Sequence, residues 1–108
     1  MRPGKRVLWL GSSKADLKTF PKAVTAQAGY ELYLVQCGLE PTDWKPMSSI
    51  GPGVREIRVR DSFGALRVVF LASRPEAIYV LHCFRKKTRK TAPGDIELAQ
   101  RRLKMLPR

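Results

Sequence analysis

Hydrophobic and polar positions change period along this chain, and the changes mark out its elements. Arg6-Val7-Leu8-Trp9-Leu10 is a short apolar run closed by Gly11, which predicts a first strand. Ser12 or Ser13 then suits the cap of a short helix through Phe20. Pro21 suits the first turn of a second helix, and Gly38 its left-handed exit. Between them Val24, Ala28, Leu32 and Val35 fall at helical spacing and form one apolar stripe. The period then drops to two. Residues 54–60, 66–71 and 78–84 read as three strands, with tight turns at Asp61-Ser62-Phe63-Gly64 and Ser73-Arg74-Pro75-Glu76. Residues 39–53 carry Pro41, Pro46, Pro52, Gly51 and Gly53, a composition that argues against a continuous helix or an inner strand. Thr91 suits the cap of a last helix with Pro93 in its first turn and Asp95 and Glu97 near its positive end. Ile96, Leu98, Ala99, Leu103 and Leu106 would give that helix an apolar face. The fold class expected is α+β, with an N-terminal strand, a helical hairpin, a three-strand antiparallel meander and a C-terminal helix.

Length limits this plan to one domain, since 108 residues make one core and there is no internal repeat. Charge then narrows the partners. Twenty-one Lys and Arg against nine Asp and Glu give a formal net charge of +12, an excess that self-repulsion penalises unless a polyanion or acidic partner balances it. A membrane is the weakest candidate, because apolar runs such as 68–72 are far shorter than the roughly 20 residues of a spanning helix. The N-terminal Met1-Arg2-Pro3-Gly4-Lys5-Arg6 is basic like a secretory n-region. Gly11, Ser12, Ser13 and Lys14 cut short the apolar run after it, so no export signal is formed and a cytoplasmic location is expected. Cys37 and Cys83 then read as reduced thiols. With one His and two distant Cys, no structural zinc site or other cofactor is expected.

The charge has a pattern. Strand alternation puts Glu56, Arg58 and Arg60 on one face and Ile57 and Val59 on the other. Arg67 stands alone among Leu66, Val68, Val69, Phe70 and Leu71; if buried it needs a carboxylate or a bound anion, and Glu56 on the adjacent strand is a possible neighbour. The third strand runs out into Arg85-Lys86-Lys87-Thr88-Arg89-Lys90, five basic residues in six, a block that repels itself without an anionic partner. For Arg58 and Arg60 a solvated strand face and a ligand contact are equally good explanations. His82 reads as a hydrogen-bonded core histidine before it reads as a base, and Trp44 and Phe84 as packing before stacking platforms.

Trp9-Leu10-Gly11-Ser12-Ser13, Ala28-Gly29-Tyr30, Asp43-Trp44-Lys45-Pro46-Met47, Val54-Arg55-Glu56-Ile57-Arg58, residues 78–84, Arg85-Lys86-Lys87-Thr88 and Thr91-Ala92-Pro93 together resemble the RelE/ParE superfamily of bacterial toxins, closest to its phage-related, HigB-like branch. The resemblance spans essentially the whole chain. It implies a toxin encoded beside a labile antitoxin, often a helix-turn-helix protein. Many members cleave messenger RNA on the ribosome, while the ParE branch inhibits DNA gyrase. On the RNA-cleaving side it implies that Arg67 holds the scissile phosphate, that Lys86 and Lys87 flank the cleft, and that Glu56 is an acid/base candidate. Arg58, Arg60, Arg85, Arg89 and Lys90 would bind RNA. Some cleaving relatives carry a catalytic His or Tyr where Lys86 and Lys87 stand here, so the resemblance does not assign the base. A single His excludes a two-histidine mechanism within one chain. A strong anion site with a weak base fits a metal-independent ribonuclease that is slow on free RNA and faster where the ribosome aligns the messenger. The alternatives are a non-nuclease gyrase inhibitor and a non-catalytic basic nucleic-acid-binding module.

Overall fold

A computed structural model describes residues 4–62, 64–86 and 90–107. The elements in chain order are β1 (Arg6–Trp9), α1 (Ser13–Lys18), α2 (Lys22–Gln36), β2 (Trp44–Pro46), β3 (Val54–Asp61), β4 (Gly64–Leu71), β5 (Ala77–Lys86) and α3 (Pro93–Lys104). The α+β class holds, but the expected three-strand meander is the middle of a five-stranded mixed sheet in the order β1-β5-β4-β3-β2. β1 pairs parallel with β5, Arg6 opposite Ala77, and every other pairing is antiparallel. The strand β2 falls in the segment expected to be irregular. Pro46 is tolerated there because β2 is an edge strand, whose outer side needs no ladder donor.

Both faces of the sheet are covered, which explains why β4 is apolar apart from Arg67. α1 and α2 pack on Ile57, Val59, Leu66, Val68, Phe70, Ile78, Val80 and Cys83 through Leu17, Val24, Ala28 and Leu32. The predicted stripe of α2 is therefore its buried face, with Val35 packed at its end. Gly38 at φ 78° gives the left-handed exit, and Leu39 N donates to the Leu34 carbonyl at 2.9 Å behind it. On the opposite face α3 and the turn after it set Ala99 and Leu106, flanked by Ile96 and Leu103, against Val54, Val69, Leu71, Tyr79 and Leu81. Each large apolar side chain so buried contributes about 1.5–3 kcal/mol. Leu98, expected on that face, is outside this core and half-buried.

A β-bulge in β5 decides what the α3 face carries. Phe70 pairs with Val80 but Val69 pairs with His82, so Leu81 is an extra residue without a partner on β4. Alternation restarts one residue out of phase. Leu81 and His82 both turn toward α3, and Phe84 and Lys86 follow on that side; Cys83 and Arg85 take the other. Continuous alternation from Val80 would have sent Lys86 to the α1/α2 side.

Thr91 is not the helix cap. Ala92 holds that position without a side-chain bond, Pro93 begins the helix, and the Thr91 hydroxyl is engaged elsewhere.

Candidate functional site

The face under α3 collects the charged residues that the strands direct there. Arg58 on β3 lies directly opposite Arg67 on β4, and Glu56 lies opposite Lys45 on β2. Glu56 is therefore diagonal to Arg67 on the same face, within reach of a long side chain. The bulge adds Lys86, opposite Ala65. These side chains close into one network. Arg67 Nη1 donates to Glu56 Oε1 at 2.8 Å, the Thr91 hydroxyl donates to Glu56 Oε2 at 3.2 Å, and Lys86 Nζ donates to Thr91 Oγ1 at 3.1 Å. Glu56 is wholly buried, and Arg67 and Lys86 are only 7% and 5% exposed.

The balance of charge in this network is uneven. One carboxylate serves Arg67 and Lys86, with Lys45 close enough to act on Lys86. Arg67 Nε is buried with no hydrogen-bond partner among the described residues. Burial of Lys86, opposed by Glu56 and reinforced by the positive charges of Arg67 and Lys45, pulls its titration from 10.5 down to about 8. The arrangement offers a positive, preorganised floor and an amine that loses its proton near neutrality.

The rim is more exposed and its arginines already hold carboxylates. Asp43, just before β2, accepts from Arg58 Nε and Nη2 at 3.0 and 2.7 Å, and its other oxygen is 3.9 Å from Arg60 Nε. Arg60 is the exposed member, its side chain 77% accessible. Lys90, next to Thr91, is also exposed. Arg85 is not brought to this face. It points to the α1/α2 side, pairs with both oxygens of Asp61 at 2.8 and 2.9 Å, and lies 4.9 Å over the Phe20 ring. Lys87 and Arg89 lie outside the described residues.

His82 is buried, and its Nε2 sits 2.7 Å from Asp95 Oδ1 in the first turn of α3; the ring stacks on Phe84 at 4.5 Å. Its Nδ1 has no hydrogen-bond partner among the described residues. The sequence placed Asp95 at the positive end of α3 and did not foresee this contact. Trp44 packs on the α2 side with the Arg55 guanidinium 4.2 Å over its ring. Burial pushes the Cys83 thiol up to about 12, so it holds almost no thiolate at neutral pH. Lys45, Asp43 and Thr91 are the members that sequence reasoning missed. Lys45 and Asp43 were visible only as parts of a quoted motif, and nothing in the pattern marked β2 as the strand that delivers Lys45 to Glu56.

A small α+β domain with a mixed five-stranded sheet, helices on both faces and a cationic network under the last helix defines the structural class. Residues 15–104 match the family Phage derived protein Gp49-like (DUF891). The chain belongs to this family, whose members are toxin-like proteins of the RelE and HigB type. No curated protein matches the chain. Among the described residues no helix is long and apolar enough to cross a membrane.

Proposed function

We propose that this protein is the toxin of a type II toxin–antitoxin system and a metal-independent, ribosome-dependent endoribonuclease. The observation that carries the reading is the cationic network: buried Arg67 and Lys86 around one carboxylate, with half-buried Lys45 beside Lys86 and no hydrogen-bond partner for Arg67 Nε among the described residues. Family membership is consistent with a toxin in general.

Internal cleavage of RNA needs a base for the 2′-hydroxyl, donors for the charge developing on phosphorus, and a proton for the departing 5′-oxygen. Arg67 supplies a fixed guanidinium, a type of donor worth about 3–4 kcal/mol when preorganised at a developing charge. Lys86, titrating at about 8, is the group whose proton affinity best suits the base, which acts about 10²–10⁴-fold. Both oxygens of Glu56 are occupied by Arg67 and Thr91, which favours a role in aligning Arg67. Lys45, Arg58, Arg60 and Lys90 offer phosphate contacts at the rim; Lys87 and Arg89, outside the described residues, are proposed as RNA contacts on their charge alone. In this reading a phosphate oxygen replaces the Thr91 hydroxyl as acceptor for Lys86, so residues 90–92 withdraw when substrate binds. The ribosome supplies the remaining alignment by presenting a splayed messenger. A helix-turn-helix antitoxin with an acidic segment over the rim is the partner expected, and the location expected is the cytoplasm.

The test is primer-extension mapping of a defined messenger in a purified translation system, with and without ribosomes, using wild type, Lys86→Met and Arg67→Lys proteins shown by circular dichroism to be folded. Ribosome-dependent cuts, abolished by Lys86→Met and weakened at least 100-fold by Arg67→Lys, are expected. Growth arrest by a folded protein that cuts nothing would overturn the nuclease reading in favour of gyrase inhibition.

A further inference from the structure

Arg102 is buried in α3, and its guanidinium has no carboxylate within ion-pair distance among the described residues. A buried charge so placed calls for another explanation than pairing. Its Nη1 donates to the Leu81 carbonyl at 2.8 Å and its Nη2 to Ser12 Oγ at 3.0 Å. Ser12 in turn donates to Asp16 Oδ2 at 2.7 Å. The guanidinium lies against Gly11, where a Cβ would come within 2.7 Å of Arg102 Nε, and Gly11 adopts φ 53°. The left-handed glycine thus leaves the space that the guanidinium fills.

Leu81 is the unpaired residue of the β5 bulge. Leu81 has no partner in the β4 register and its carbonyl is buried, and a buried carbonyl without a donor is strongly disfavoured. Arg102 supplies that donor. A competing register that pairs Leu81 with Val69 would remove the bulge and move every later side chain of β5 to the opposite face. Lys86 would then leave Glu56 and Thr91 for the side now held by Cys83 and Arg85.

We infer that Arg102 is a positioning residue: by holding the bulge carbonyl of Leu81 it fixes the register that turns His82, Phe84 and Lys86 toward Glu56 and Arg67. The control is indirect. Lys86 lies five residues beyond Leu81, about 16 Å along an extended strand, and the groups that set its titration are burial, Glu56, Arg67 and Lys45, without Arg102. A change at Lys86 on replacing Arg102 therefore reports strand geometry and not the lost charge. The consequence for cleavage rests on the nuclease reading above; the positioning itself does not.

The experiment compares wild type, Arg102→Met and Arg102→Lys, following Lys86 by NMR titration of its side-chain Cε and Nζ signals and following cleavage by kcat and KM on ribosomes. Arg102→Met is expected to stay folded with a cooperative melt, while Lys86 moves from about 8 to within one pH unit of its ordinary 10.5. Its kcat should fall at least 100-fold with KM within threefold. Arg102→Lys still reaches the Leu81 carbonyl and should keep Lys86 near its wild-type titration, with kcat within tenfold. A folded Arg102→Met protein in which Lys86 titrates as in wild type would overturn the proposal. So would unfolding of both variants, which would place Arg102 in the stability of the whole domain. Loss of the Lys86 signature from a protein that never cleaves RNA would leave the positioning intact and refute only the nuclease reading.

Discussion

Replacing Lys86 by Met isolates the cost of burying a charge in this network. Lys86 is 5% exposed, has Thr91 as a hydroxyl acceptor, and titrates at about 8 against an ordinary 10.5. At 1.36 kcal/mol per pH unit, that depression is worth ~3 kcal/mol between the charged and neutral forms. Between pH 8 and 10.5 the unfolded chain keeps a proton that the folded chain has released, so unfolding takes up a proton and stability rises with pH. The penalty is full below pH 8 and absent above 10.5. Met has a similar length and no charge, so at neutral pH the variant should be the more stable protein. The gain is about 1–3 kcal/mol, after roughly 1 kcal/mol is subtracted for the lost bond to Thr91. The assay is urea unfolding of both proteins at intervals from pH 7 to pH 10.5. Other titrations, including the raised Tyr79 hydroxyl, are common to both and cancel in the difference. The difference should shift toward wild type by ~3 kcal/mol across that range. A difference that stays constant within about 0.5 kcal/mol would refute the reasoning, because Lys86 would then titrate like a solvated lysine.

Three further outcomes rest on the same geometry. Glu56→Gln strips the buried carboxylate from Arg67 and should cost about 3–5 kcal/mol, a fall in Tm of more than ~12 °C by calorimetry, partly reversed by added phosphate. If Lys86 is the base, the ribosomal cleavage rate should climb with pH and level off near 8, since the neutral amine is the active form; Lys86→Arg should remove the dependence, read from a pH–rate profile. Arg85→Gln loses the pair with Asp61 on the opposite face, so cleavage should change by less than threefold in the translation assay.

The elements that could be read from sequence are those whose period persists. The α2 stripe and the alternation of β3 each repeat often enough to set a buried face, and Glu56 and Arg67 were legible as partners because each is conspicuous in its strand. β2 was not, because three residues ending in Pro cannot establish a period and it exists only by pairing with β3. The bulge was hidden for another reason. Leu81 sits in an unbroken apolar run with no Gly or Pro to mark a fault, and the donor that holds it comes from α3, far along the chain. Arg102 itself reads as one of three basic residues in the last turn of a helix, a common electrostatic preference that conceals its burial. Thr91 had two outlets for its hydroxyl, the helix backbone or a buried lysine, and only tertiary packing decides between them.

The parallel pairing of β1 with β5 sets an order of assembly. Arg6 meets Ala77 across 71 positions, and β5 is the strand that enters between β1 and β4 rather than adding at an edge. Contacts of that span close slowly, because the chain between them must be ordered before they form. The N-terminal strand emerges from synthesis early but has no partner in the sheet until residues 77–86 follow. The cationic floor needs both the last strand and α3, so any poison this chain carries stays unassembled through most of its own translation.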